Sequence, residues 1–176
     1  MSTKRSTIRR RLPQVPVLLG AITASALLLG GTAAAAPGSA TNNGHTLSAS
    51  NATGLAVAGE TITVTGAGYS PANGYYLALC QVPDDFSYGE KPGPCLGGDG
   101  QGGDGTGPSA WVTNSPVGGN PSVPIAPDGS FTARIRVQQT GPGLDCATVT
   151  CAIISRRDHL GSADRGFDVF VPATFG

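Results

Sequence analysis

From Thr46 onward, apolar and polar positions alternate in short runs divided by glycine, proline and asparagine. Thr61-Ile62-Thr63-Val64-Thr65 alternates with period two, which turns Ile62 and Val64 to one face and the threonines to the other. Ser130 to Val137 repeats the pattern, with Phe131, Ala133, Ile135 and Val137 inward and Arg134 and Arg136 toward water. Tyr75 to Val82 differs, because both of its faces are apolar: Tyr75, Leu77 and Leu79 on one, Tyr76, Ala78 and Cys80 on the other. That is the pattern of a central strand covered on two sides. Thr46–Ser50, Ser109–Asn114 around Trp111, Ser122–Ile125 and Phe167–Val171 read as further strands, and Pro124 places its run at an edge. Cys146–Ile154 reads as a tight hairpin clipped at its neck. No run has a helical period, so the expectation is an all-β sandwich of seven or eight short strands.

The N-terminus follows a different pattern. Residues 1–14 carry Lys4, Arg5, Arg9, Arg10 and Arg11 without an acid, and the apolar run Val15–Leu29 leads into Gly30-Gly31-Thr32-Ala33-Ala34-Ala35. A basic segment, an apolar stretch of about 15 residues and small residues at the end make residues 1–34 a secretory signal peptide, cut after Ala34 or Ala35. The stretch falls short of the roughly 18 residues that span a bilayer, so the mature chain is expected to have no membrane span. Residues 35–45 read as a flexible leader and 46–176 as one domain, secreted.

Removing the signal leaves six basic against eleven acidic side chains, a net charge of −5. Such a surface gains nothing from counterion release, which argues against direct nucleic-acid binding and against an anionic membrane as partner. All four cysteines lie in the mature part, where an oxidising compartment favours two disulfides. Of the three pairings, chain proximity favours Cys80–Cys95 and Cys146–Cys151. The Asp/Gly run around Asp99 and Asp104 lacks the carboxylates of a calcium loop, and two histidines with no C-x-x-C offer no metal set.

Six of the 17 mature charges fall in Ser155–Asp168. Arg156, Arg157, Asp158, His159, Asp164 and Arg165 there read either as a network that orders a loop or as an interaction segment for a partner. Catalysis is not expected, since neighbours Asp158 and His159 point apart in extended chain and no elbow supplies a nucleophile.

Thr63-Val64-Thr65-Gly66-Ala67-Gly68, the tyrosine-containing strand running into Cys80 with Cys95 beyond, Asp145-Cys146 with Cys151 five residues on, and the apolar strand ending at Phe175 form a set. In this set the chain resembles the neocarzinostatin-like apoproteins of actinobacteria over most of residues 46–176. The resemblance implies a seven-stranded immunoglobulin-like β-sandwich with both disulfides local. It also implies a cleft that holds a small apolar chromophore without a covalent bond, the chromophore itself being what damages DNA. Carried over by position, Cys80 and Cys95 form the cleft floor, Leu79 and Val82 flank it, and Ala152, Ile154 and Ser155 make the opposite wall. Where family members place aromatic rings beside the first disulfide, this chain has Val82 and a glycine run, and Gln138–Leu144 holds no aromatic residue. Trp111 is the candidate to stand in for them. The competing expectation is a secreted or surface-associated module that binds a protein, a wall component or a nutrient such as haem. Neither reading fixes an oligomeric state.

Overall fold

The computed structural model describes residues 34–98 and 102–176. The expected signal peptide lies outside the described residues, apart from Ala34. Ten strands run in the order β1 (Ala36–Asn42), β2 (His45–Thr53), β3 (Glu60–Ala67), β4 (Tyr75–Gln81), β5 (Ser109–Val112), β6 (Phe131–Val137), β7 (Thr140–Gly141), β8 (Leu144–Asp145), β9 (Cys151–Arg157) and β10 (Val169–Ala173). The helical content among them is one 3₁₀ turn, Arg165–Phe167.

Two four-stranded antiparallel sheets, ordered β1-β2-β3-β6 and β10-β9-β4-β5, pack face to face, and β7-β8 forms a small separate ribbon. Their shared core takes Leu47, Ile62, Val64, Phe131 and Ile135 from the first sheet and Tyr75, Leu77, Leu79, Ile153, Val169 and Val171 from the second. Burying large side chains of this kind stabilises by about 1.5–3 kcal/mol each. The fold is therefore all-β and sandwiched, but its strand count differs from the seven expected.

The difference has two sources. Residues 36–42 are a paired edge strand where a flexible leader was expected: β1 runs antiparallel to β2 from Asn42↔His45 onward. Asn43 and Gly44, with φ of 47° and 80°, close that hairpin in the left-handed region a two-residue turn of this type demands. Space is short at Gly38 of this strand. A Cβ on Gly38 would stand 2.6 Å from the Ala52 Cβ and 2.8 Å from Val171 Cγ1. The second source is the ribbon. Asp145 pairs with Thr140 of β7, so Cys146–Ile154 is not one hairpin; β9 instead lies between β4 and β10. Ser122–Ile125 also forms no strand. Val123 makes one bridge beside β5, through Thr113 N–H to Val123 O at 2.8 Å and Val123 N–H to Trp111 O at 2.8 Å. Pro124 then ends the pairing, because it has no N–H to donate.

Both disulfides are local. Cys80–Cys95 closes a separation of 15 residues and Cys146–Cys151 one of 5.

Candidate functional site

Strands β4 and β9 are buried along both faces. One face belongs to the core between the sheets. The other points away from it and carries a second apolar cluster, Ala78, Cys80, Val82, Ala152, Ile154 and Phe170, against which Phe86 and Cys95 pack. A sandwich sheet facing water on its far side alternates apolar with polar. This one does not, and that outer face is the candidate site.

Strand register orders it into three rows. Cys80 stands beside Ala152 and Ala152 beside Pro172, with Cys95 bridged to Cys80. The middle row is Ser109, Ala78, Ile154 and Phe170, the last covered by the Tyr88 ring with 4.7 Å between centroids. The upper row is Trp111, Tyr76 and Arg156. Four residues of strand separate the lowest row from the highest, about 14 Å. The face is thus graded from a disulfide floor, through an apolar middle, to an aromatic and charged end.

The upper row is held by bonds from the charged segment. Trp111 Nε1 donates to the buried Asp158 carboxylate at 3.1 Å, and Asp158 also accepts from Leu160 N–H at 3.1 Å. The Tyr76 hydroxyl and His159 Nδ1 are 2.8 Å apart, and the Arg156 guanidinium lies 5.4 Å from the Tyr76 ring centroid. Arg157, one residue on, points to the opposite face, over Phe167 at 5.2 Å and Tyr75 at 5.9 Å. Asp164 caps the 3₁₀ turn through Gly166 N–H at 3.0 Å, and Arg165 pairs with Asp168 at 2.8 Å. Asp158, His159, Asp164 and Arg165 thus each hold a hydrogen-bond partner, and His159 and Leu160 stay exposed. Asp158 and His159 bond to different partners, not to each other.

The residues carried over from the family resemblance are split by the strands. Cys80, Val82, Ala152 and Ile154 share the outer face with Cys95 and Trp111. Leu79 and Ser155 point the other way, Leu79 into the core and Ser155 to the Tyr69 hydroxyl at 2.6 Å. Those two are therefore corrected out of the cleft wall: period two puts Leu79 and Cys80 on opposite sides of the same strand. Burial pushes the Tyr69 hydroxyl well above its ordinary range. Tyr76 and Phe170 lie on that same outer face and Phe86 packs against it, and Tyr76 was legible as an outward residue of the central strand.

At the disulfide end a cavity of about 470 Å³ adjoins the face, lined by Phe86, Val149, Cys151, Pro172 and Phe175 among others. Among the described residues no three metal-binding side chains come together. Asp104, weighed for calcium, accepts at Oδ1 from Thr106 N–H at 2.9 Å and Thr106 Oγ1 at 2.7 Å.

Asp168 carries a pH signature. Its side chain is fully buried, one oxygen meets Arg165, and Oδ1 has no hydrogen-bond partner. Burial pushes its pKa up from 3.8 to about 7, against the pull of Arg165 and Arg156. A raised native pKa means that the folded state holds the proton more tightly than the unfolded chain does. Stability from this group is complete below pH 4 and falls as pH rises to about 7. Urea midpoints from pH 4 to 8 should show this decline in the wild type and a flatter profile in Asp168→Asn.

Fold and site together define a disulfide-braced β-sandwich with one apolar sheet face turned away from its core. The neocarzinostatin family model matches residues 47–173. A protein of Corynebacterium glutamicum named thiamine biosynthesis protein X is 38% identical over 121 residues, covering 68% of this chain. The match spans 57% of that relative's own length. The solved structure of macromomycin is 20% identical with a TM-score of 0.47, over 75% of this chain and 99% of that one. The chain belongs to the neocarzinostatin family.

Proposed function

We propose that the protein is a secreted, non-enzymatic carrier that holds a small apolar molecule against the outer face of the second sheet. One observation carries the reading: a cavity of about 470 Å³ opens at the disulfide end of the apolar sheet face that serves no sandwich core. An apolar floor with a few fixed polar groups at one end is the composition of a small-molecule site, and family membership supports the same use. Ala78, Ile154 and Phe170 are already covered by the chain itself, so the ligand would sit at the disulfide end of that face, in the cavity lined by Phe86, Cys151, Pro172 and Phe175. The two disulfides would keep the surrounding loops in shape, so that binding orders little chain.

Native mass spectrometry of the chain recovered from its host's medium tests this. The expected spectrum contains a mass increment that organic extraction removes. Only the bare polypeptide mass would reject the carrier. The same sample tests export, since N-terminal sequencing is expected to begin at Ala35 or Ala36. Either start leaves β1 whole, whereas a start beyond Asn42 would remove it and contradict the processing proposed.

A further inference from the structure

A second cavity lies away from that face. It measures about 370 Å³ and is lined by Leu96, Gly97, Thr106, Pro108, Arg136, Gln138 and Pro142. That volume falls within the range of small-ligand pockets, roughly 300–1,000 Å³. Three of the lining residues, Leu96, Pro108 and Pro142, are apolar, and Arg136 is the one charged residue among them.

The walls are braced. Leu96 follows Cys95, which is bonded to Cys80, and its N–H donates to Leu79 O at 2.9 Å. Pro142 sits in the turn of the β7-β8 ribbon, whose far end is tied by Cys146–Cys151 and by Cys146 N–H to Gln139 O at 2.9 Å. Gly141 lets the two walls meet, because a Cβ there would stand 2.5 Å from Leu96 Cδ2. Gln138 Nε2 donates to Thr140 O at 2.7 Å, fixing the ribbon's root. Each disulfide therefore supports one side of this cavity.

Arg136 supplies the chemistry. It is an outward residue of the edge strand β6, its backbone N–H bonded to Gly107 O at 2.8 Å. Its side chain makes one hydrogen bond, from Nη2 to Ala58 O at 3.2 Å, and among the described residues no carboxylate lies within salt-bridge distance. A guanidinium has five N–H donors in a planar fork that fits an oxyanion. Arg136 is exposed, so its other donors are open to solvent or to a ligand, and a permanent cation beside apolar walls favours an anion that carries an apolar body.

We infer that this cavity is a binding site for small apolar monoanions, such as aromatic or short-chain carboxylic acids, with the acid group on Arg136. The site is separate from the outer face of the second sheet and stands whether or not that face holds a ligand.

The probe is 1-anilinonaphthalene-8-sulfonate, compared with its uncharged analogue N-phenyl-1-naphthylamine, both read by fluorescence enhancement. Arg136→Gln should weaken the anion by about tenfold, the effect of losing a charge-assisted hydrogen bond, and leave the neutral probe unchanged. Arg136→Lys should retain most of the anion affinity. Arg134→Gln changes net charge equally on the same strand but outside the cavity, and should change neither probe. No anion binding by the wild type, equal losses in Arg134→Gln and Arg136→Gln, or loss of both probes in Arg136→Gln would overturn the assignment.

Discussion

Leu77→Ala is expected to lower the unfolding free energy by about 3–5 kcal/mol, the range for deleting a large aliphatic side chain from a fully enclosed site. Leu77 has no exposed surface and sits mid-strand in β4, between Ala110 of β5 and Ser155 of β9, facing the first sheet. Strands hold it on both sides, so the cavity left behind cannot collapse without bending the sheet. Domains are stable by only about 5–15 kcal/mol, so the change should appear as a large fall in the urea midpoint with little change in slope. Val117→Ala is the control: at 58% exposure it should shift stability by no more than about 0.5 kcal/mol. A loss below about 1 kcal/mol at Leu77 would mean that the two sheets do not pack through this layer.

The same strand shows what sequence can reveal. Alternation placed Leu77 and Leu79 on one face of β4 and Ala78 and Cys80 on the other, as observed. It likewise identified β3 and β6, whose inward residues are large and regular. β1 escaped because Ala-Pro-Gly-Ser-Ala-Thr-Asn has no large apolar residue. At Gly38 the closeness of Ala52 and Val171 demands glycine, so tight packing removed one apolar position that would help announce the strand. Asn43-Gly44 did carry a hairpin signal, one usually trusted only between alternating apolar runs. At the site, period two could already have separated Leu79 from Cys80. The upper row was beyond reach, because Trp111–Asp158 and Tyr76–His159 join residues 47 and 83 positions apart. Only the fold brings such partners together. The Arg136 cavity is hidden for the same reason, being assembled from separate stretches of chain.

The disulfides offer the second large effect and tie stability to binding. In the chain-entropy picture, a cross-link restrains the unfolded chain more as its loop lengthens. The paired change Cys80→Ala with Cys95→Ala opens a separation of 15 residues and should lower stability by about 3 kcal/mol; removing Cys146–Cys151, at 5 residues, should lower it by about 2. Alanine is the right replacement for Cys80, which is fully buried among Ala78, Ala152 and Ile154, where a serine hydroxyl would add a desolvation penalty. The native chain around Cys95 should hold its path, because Gln81 N–H to Pro94 O, Gly93 N–H to Gln81 O and Leu96 N–H to Leu79 O, at 3.0, 3.0 and 2.9 Å, keep residues 93–96 on β4. Those bonds would open more often without the cross-link. Amide exchange at Gln81, Gly93 and Leu96 should quicken, and the naphthylamine probes should bind more weakly, because Leu96 is a wall of their cavity. Chemical denaturation of the two double variants side by side decides the matter. If the five-residue bridge proved the more stabilising, loop entropy would not explain these staples, and native contacts of the β7-β8 ribbon would have to supply the difference.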